Sequence, residues 1–243
     1  MKIERETYED GNPSRLPRSQ MESGVVPRPV VRPEALSYHL LRPRQCGPAD
    51  VPLLGEVYRC WSEVWKQTFW ELDNAPHVPS DDFTRQDEVG AIFHGYECVA
   101  LSLFRSIDLA DPMHQDDSYF AAWPVRAREA ACRDGTRVCV GSNITIAPAW
   151  RSATGCSLKN VLGALIIERF VLGQGDAMVG TMRNDRGMDK LMDRLGAERL
   201  GYTVELHGVE VDLFAFFRRT SERPPLKEQD ESIVQSLRSA IRT

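Results

Sequence analysis

Apolar positions in the first half of the chain follow two different periods. Between residues 49 and 72 they recur at helical spacing, which predicts an amphipathic helix. Residues 36–42 predict a strand before this helix, and two β-rich runs around His94-Gly95 predict a hairpin after it. The polar residues 73–88 separate the helix from the hairpin. A structureless loop of this length is uncommon, and we expect it to be a substrate loop.

The second half of the chain alternates more regularly between strands and helices. Residues 137–147 predict a central strand, and a loop then leads into an apolar helix that reaches Phe170. Residues 176–182 predict another strand, and the short helix after it ends at Gly196, where glycine suits the position that follows a helix. Residues 121–133 predict a further helix, and the runs around His207-Gly208 predict a closing hairpin. This order combines antiparallel hairpins with one parallel crossover, which indicates an α/β (α+β) fold with a mixed sheet.

The two ends of the chain differ in composition from its body. Residues 1–34 mix prolines with charged residues and show no apolar period, so they cannot bury enough surface to offset their ordering entropy. We expect a flexible tail there, either disordered or docked in extended form on the body. Residues 35–220 are expected to form a single domain. Residues 221–243 are expected to form a charged tail or a helix.

Composition narrows the functional class. The 243 residues carry a formal net charge of −5, which argues against a nucleic-acid partner. The sequence contains no apolar run of the ~18 residues that a membrane span needs. The N-terminus lacks the apolar core of a signal peptide, so we expect a soluble cytoplasmic protein. The 6 cysteines are scattered without a CxxC pair, which predicts reduced, mostly buried thiols and no metal site.

The passage from the central strand into the apolar helix carries the strongest chemical signal. The strand breaks into a short loop of small residues around Gly155, and the helix begins directly after it. A helix start leaves several backbone N–H groups unpaired and pointing one way, which attracts phosphate. The loop therefore predicts a site for a nucleotide-derived donor, and hence an enzyme. Cys156 lies at this helix start, where the pKa of a thiol is expected to fall, so a catalytic cysteine is an alternative.

Taken in order, these strings resemble the GNAT superfamily of N-acyltransferases. The family pattern combines a strand end, an anion-binding loop, an Asn after the next strand, a helix that ends in Leu-Gly, and a final hairpin. The residues here that match the pattern are Ile144, Ile146, Pro148, Arg151, Gly155, Ser157, Asn184, Leu195 and Gly196.

The resemblance implies a mostly antiparallel sheet, flanked by helices and splayed at its central strands. It implies direct attack of a small-molecule amine on an acyl thioester through a tetrahedral intermediate. The Ile146 N–H would stabilise the oxyanion, and Asn143 would orient the amine. The implied cosubstrate is acetyl-CoA or a longer acyl-CoA, with acyl carrier protein as another possible donor and with no metal. The implied donor-binding residues are Ile146, Arg151, Ser152, Thr154, Gly155, Cys156, Ser157 and Asn184.

Some positions depart from the family pattern or have a second explanation. One extra residue lies between Arg151 and Gly155, and Ser157 replaces a Gly or Ala. Met192 stands where many relatives carry a Tyr that protonates the leaving thiolate, and a thioether cannot donate a proton. Asn184 also suits a helix N-cap. The base that accepts the amine proton stays open among Asp82, Glu97, Glu205, His94 and His207.

Two further hypotheses keep the same fold. The long loop and the hairpin also resemble acyl-homoserine-lactone synthases and N-acyl amino acid synthases, which take acyl chains from acyl carrier protein. The residues that carry this resemblance are Arg59, Trp65, Asp81, Asp82 and Arg105. This second hypothesis predicts an apolar tunnel beside the split between the fourth and fifth strands. The third hypothesis is a GNAT-like binding module without catalysis, which the absent tyrosine suggests.

Overall fold

The computed structural model describes residues 28–74, 77–185, 187–219 and 225–241. Seven strands form one sheet in the order β1-β2-β3-β4-β5-β7-β6. The strands are β1 (Leu36–Leu41), β2 (Glu88–His94), β3 (Glu97–Asp108), β4 (Arg137–Ile146), β5 (Ala177–Arg183), β6 (Glu198–Leu206) and β7 (Val209–Phe217). Neighbouring strands are antiparallel except β4 and β5, which are parallel. The predicted mixed sheet with one parallel crossover is confirmed.

Helices cover both faces of the sheet. They are α1 (Val51–Asp73), α2 (Asp81–Thr84), α3 (Pro112–Gln115), α4 (Val125–Ala131), α5 (Leu158–Leu172), α6 (Met188–Arg194) and α7 (Glu228–Leu237). The α5 helix is the crossover between the parallel strands, and it packs with α6 and α7 on one face. The α1 and α4 helices pack on the other face, over separate parts of the core.

The segment 73–88 differs from its prediction. It contains the short helix α2, and Phe83 in that helix is buried against Trp61 of α1, with 5.3 Å between the ring centroids. The Phe83 ring also meets Tyr58 edge to face. One aromatic residue thus anchors the middle of a polar stretch, so the prediction of a structureless loop is wrong.

The first described residues and the helix α7 lie against the loop that leads into α5. Residues 1–27 of the predicted N-terminal tail lie outside the described residues. From residue 28 the chain runs beside Thr154: the Thr154 N–H donates to Pro29 O at 3.0 Å, and the Val31 N–H donates to Thr154 O at 2.8 Å. Within the C-terminal segment, α7 packs against α5. Two segments from opposite ends of the sequence therefore meet at the predicted anion-binding loop.

Candidate functional site

The two central strands separate partway along their length. Pairing between β4 and β5 runs only from Val138↔Ala177 to Val140↔Val179. Beyond this point β4 continues to Ile146 and β5 continues to Arg183 without pairing to each other. The backbone edges of both strands therefore face a gap, which we call the strand split. The split lies beside α5, because α5 connects these two strands.

A β-bulge in β4 lies at the split. Leu103 pairs with Ser142 and Leu101 pairs with Thr145, so β4 holds one extra residue at this point. Asn143 adopts a φ of 52° within the bulge. Asparagine tolerates this left-handed conformation better than most residues. The bulge gives Asn143 a backbone role that sequence reasoning missed.

The extra residue changes which side chains face α5. Before the bulge, Val138 and Val140 belong to the core on the α4 side of the sheet. After it, Ile144 and Ile146 pack against the core that contains α5. An added residue inverts the alternation of a strand, so without the bulge these isoleucines would face the opposite side. The split is thereby lined with apolar side chains on its α5 side.

The backbone of Ile146 faces the split. The Ala147 N–H donates to Val99 O on β3 at 3.0 Å. Successive residues of a strand direct their N–H groups to opposite sides, so the Ile146 N–H points away from β3 and toward the split. The Ile146 carbonyl accepts a hydrogen bond from Arg151 Nε at 3.1 Å, which ties the following loop to the strand end. An N–H group in this position suits an oxyanion donor.

An apolar cavity of about 20 Å³ lies at the split. It has room for about one water-sized probe. Three methionines contribute to its wall, and Met192 is among them. Met192 thus faces apolar side chains at the position where a tyrosine acid would stand. The lining residues are Ser102, Gly141, Ile144, Gly163, Ile166, Ile167, Met178, Val179, Gly180, Met182, Met192, Leu195, Phe214 and Phe216.

On the opposite face of the sheet, α1 lies over the end of β4. Trp65 Nε1 donates to Thr145 Oγ1 at 2.9 Å. The Thr145 hydroxyl in turn lies 2.7 Å from Asn143 O. One turn along α1, the Phe69 ring meets His207 edge to face, with 4.8 Å between the centroids. Trp65 therefore reaches the split, and α1 connects the split to the β6–β7 turn. Sequence reasoning identified neither Thr145 nor Phe69.

The other candidate bases lie elsewhere. Glu97 Oε1 accepts a hydrogen bond from Trp150 Nε1 at 2.9 Å, and the His94 ring lies 4.7 Å from the ring of Trp150. Asp82 pairs with Arg85 at 2.9 Å. Glu205 is exposed on the edge strand β6. Of the five candidates, His207 is the one that contacts α1 beside Trp65.

The remaining residues of the second hypothesis are separated in the structure. Arg59 forms ion pairs with Glu56 and Glu63 on the exposed side of α1. Arg105 forms a half-buried ion pair of 2.5 Å with Asp117, a partner that the sequence did not suggest. Asp81 and Asp82 lie in the short helix α2.

The predicted anion-binding loop is partly covered. Gly155 has a φ of 98°, and a Cβ atom there would lie 2.7 Å from Val31 O, so this position requires glycine. The Ser157 N–H donates to Asp230 Oδ1 at 2.9 Å, and Asn160 Nδ2 donates to Asp230 Oδ2 at 3.2 Å. Asp230 belongs to α7 and is only 3% exposed. A carboxylate of the chain itself therefore occupies the start of α5, while Arg151, Ser152, Thr154 and Gly155 stay exposed.

The N-termini of α5 and α6 begin at Ser157 and Gly187. Ser157 is the N-cap of α5, and its hydroxyl oxygen accepts a hydrogen bond from the Asn160 N–H at 3.3 Å. The α6 helix begins after Gly187, which has a φ of 67°. The suggestion that Asn184 caps this helix is therefore wrong. Asn184 lies directly after β5, at the open end of the split.

Cys156 does not have the lowered pKa that the sequence suggested. Burial raises the pKa of its thiol to about 11, and the negative charge of Asp230 adds to the effect. Burial, together with the Asp230 carboxylate, outweighs the expected influence of the helix start. Of the six cysteines, Cys60 and Cys98 are buried and the other four are half-buried, so the prediction of mostly buried thiols is only partly correct.

We predict that Cys156 resists alkylation at pH 8. With a pKa of about 11 its thiolate fraction is on the order of 100-fold below that of an unperturbed thiol with a pKa of about 8.5. Iodoacetamide labelling followed by peptide mass spectrometry measures this rate. The same peptide in denaturant serves as the control. Labelling of the folded chain as fast as the denatured chain would contradict the assignment.

Solved structures similar to this chain include acyl-homoserine lactone synthases and an N-acyl amino acid synthase. BjaI, a CoA-dependent acyl-homoserine lactone synthase with SAM and isopentyl-CoA, is 12% identical with a TM-score of 0.54, over 86% of this chain and 90% of that one. The AHL synthase LasI is 14% identical with a TM-score of 0.53, over 83% of this chain and 95% of that one. FeeM, an N-acyl amino acid synthase from uncultured soil microbes, is 12% identical with a TM-score of 0.50, over 76% of this chain and 91% of that one.

These likenesses establish the fold. The chain has the mixed, mostly antiparallel sheet flanked by helices of the GNAT-like proteins, which confirms the fold resemblance drawn from its sequence. No protein-family model and no curated protein matches the sequence. Within the described part of the chain, no helix combines the length and the apolar character needed to cross a bilayer. The described residues also contain no group of three or more His, Cys, Asp or Glu side chains that could hold a metal ion.

Proposed function

We propose that this protein is an N-acyltransferase that moves an acyl group from an acyl thioester to a small-molecule amine. The observation that carries the proposal is the strand split, with the Ile146 N–H directed into it beside an apolar cavity. The fold adds support, because the similar structures BjaI, LasI and FeeM are named as acyl-homoserine lactone and N-acyl amino acid synthases.

In the proposed reaction the amine nitrogen attacks the thioester carbonyl and forms a tetrahedral intermediate. The Ile146 N–H donates to the oxyanion, and such a donor contributes about 3 kcal/mol to transition-state stabilisation. Collapse of the intermediate expels the thiolate and leaves an amide. The Asn143 side chain orients the amine from the bulge. His207 accepts the amine proton from its place beside Phe69, directly or through water.

We propose that the donor phosphates contact the exposed side of the loop. Arg151 and Ser152 are exposed there, followed by Thr154 and Gly155, and Cys156 and Ser157 continue the loop toward α5. Asp230 occupies the first turn of α5, so the phosphates bind beside the helix start and do not replace this carboxylate. Asn184, at the open end of the split, contacts the pantetheine arm. On this proposal acetyl-CoA or a longer acyl-CoA is the donor.

A second candidate takes the acyl chain from acyl carrier protein, as an N-acyl amino acid synthase-like enzyme. Two observations favour it. The cavity at the split is apolar, as that hypothesis requires. In addition, the Ser157 N–H and Asn160 Nδ2 already bind Asp230, which leaves fewer donors for a diphosphate. The phosphopantetheine of a carrier protein carries one phosphodiester and needs fewer contacts.

The test follows amide formation by mass spectrometry. The full-length chain is incubated with a panel of amines and with acyl-CoA donors from acetyl to about dodecanoyl. The same acyl groups are also supplied on acyl carrier protein. Amide formed from acyl-CoA supports the first candidate, and amide formed only from the carrier protein supports the second. Binding without product from either donor would point to the third hypothesis, a binding module.

Ile146→Pro tests the oxyanion donor, because proline removes the N–H group. We expect kcat to fall on the order of 100-fold with little change in KM. The pairing with β3 does not use this N–H, so the sheet is retained, which circular dichroism checks. Ile146→Val keeps the N–H and is the matched control. Equal activity of the two variants would remove Ile146 from the mechanism.

A further inference from the structure

A second cavity lies away from the strand split. Its volume is about 510 Å³, which is within the range of small-molecule sites. Phe104, Cys139 and Phe170 form its apolar floor, and Arg42, Arg44 and Arg169 line its wall. It opens where α5 ends, whereas the loop 151–157 precedes α5. The 15 residues of α5 place these two regions about 22 Å apart.

The arginine side chains that line this cavity are only partly paired with its two carboxylates, Asp87 and Glu88. Glu88 accepts hydrogen bonds from Arg169, and Arg42 reaches it only at 3.4 Å. Asp87 accepts a hydrogen bond from the Ser106 N–H at 2.7 Å, and Arg44 lies 3.6 Å from the other oxygen of Asp87. Among the described residues Arg44 makes no hydrogen bond. The Arg42 and Arg44 side chains are 55% and 65% exposed at the mouth, so most of their N–H donors are available.

Two almost completely buried phenylalanines and two glycines border the floor of the cavity. A Cβ atom at Gly175 would lie 3.4 Å from the Cβ of Cys139, so glycine keeps this side of the floor open. A Cβ atom at Gly173 would lie 2.7 Å from Arg169 Nη1. Burial raises the pKa of the Cys139 thiol to about 12, so this group is neutral.

We propose that this cavity binds a small organic anion, in which a carboxylate or phosphate pairs with Arg42 and Arg44 and a small apolar body packs against Phe104 and Phe170. Guanidinium groups bind both oxyanions through paired N–H donors. The site is separate from the proposed transfer site, and the proposal does not depend on acyl transfer.

The test is isothermal titration calorimetry of the full-length chain at neutral pH. The probes are benzoate and phenyl phosphate, with benzyl alcohol as the neutral analogue and inorganic phosphate as the anion without an apolar body. We expect at least one aromatic anion to bind at a single site. Its affinity should be at least about tenfold higher than that of benzyl alcohol or inorganic phosphate. Comparison of the two aromatic anions identifies the headgroup. Absence of binding at about 10 mM, or equal affinity for the neutral analogue, would overturn the proposal.

Two variants locate the site. The double variant Arg42→Gln with Arg44→Gln is expected to weaken binding of the aromatic anions at least about tenfold. Arg59→Gln, which removes a guanidinium from the exposed side of α1, is the matched control and should leave the affinity unchanged. Ser106→Trp fills the cavity from an exposed position and should abolish binding while the melting temperature is retained. Unchanged affinity in both the double variant and Ser106→Trp would place the anion elsewhere.

Discussion

Replacement of Arg218 by alanine is expected to lower the free energy of unfolding by about 3 kcal/mol. Arg218 follows β7, and its guanidinium donates hydrogen bonds to carbonyls at and after the end of α5. Val171 O lies at 2.6 Å, Gly175 O at 2.7 Å and Gly173 O at 2.9 Å. The last carbonyls of a helix have no partner within the helix, and a cation near them also interacts favourably with the helix dipole. One side chain therefore satisfies several of these groups.

The matched control for this prediction is the next residue. Arg219 is exposed, so Arg219→Ala removes the same charge at nearly the same place and should change stability by less than about 0.5 kcal/mol. For a chain of this size, about 3 kcal/mol corresponds to a melting temperature lower by about 6–12 °C. Thermal and urea unfolding, followed by circular dichroism, measure both variants. Equal stability of the two variants would show that the cap contributes nothing.

The helices, strands and turns could be predicted because their signals are local in the sequence. The turn at His207-Gly208 illustrates this, because both residues adopt a positive φ, 51° and 67°. Glycine and a polar residue at two adjacent positions are typical of a tight hairpin turn. Gly196 likewise adopts a φ of 85° directly after α6. These signals depend on neighbours in the sequence, so they can be identified without a structure.

The features that sequence reasoning missed depend on distant residues. Asp230 lies 73 positions from Ser157, and nothing in either segment indicates that they pair. Its carboxylate changes both the availability of the helix start and the pKa of Cys156. The bulge at Asn143 is equally hidden, because its effect appears only in the register between β3 and β4. The sequence thus predicts that a loop precedes α5, whereas the charges around this loop depend on tertiary packing.

Gly141→Val is expected to lower kcat/KM strongly for long acyl chains and to spare short ones. Gly141 lies directly after the last paired residues of β4 and lines the apolar cavity. A Cβ atom there would lie 3.4 Å from Met178 Sδ, so valine fits the strand while its branches fill the cavity. The cavity is small at rest, and Met178, Met182 and Met192 line it. These flexible side chains can rotate to admit a chain, which a valine at the base of the split would prevent.

The size of the effect follows from the burial of methylene groups. If about four methylenes lose their buried site, the loss is about 3 kcal/mol, or on the order of 100-fold in kcat/KM. Acetyl transfer should change little, because an acetyl group ends near Ile146. Gly47→Val, in the loop before α1, is the matched control. Measured kcat/KM values against acyl-chain length for the three proteins provide the comparison. An equal loss for acetyl and long-chain donors would show that the chain does not enter the split, because only a steric block inside the acyl site discriminates by length.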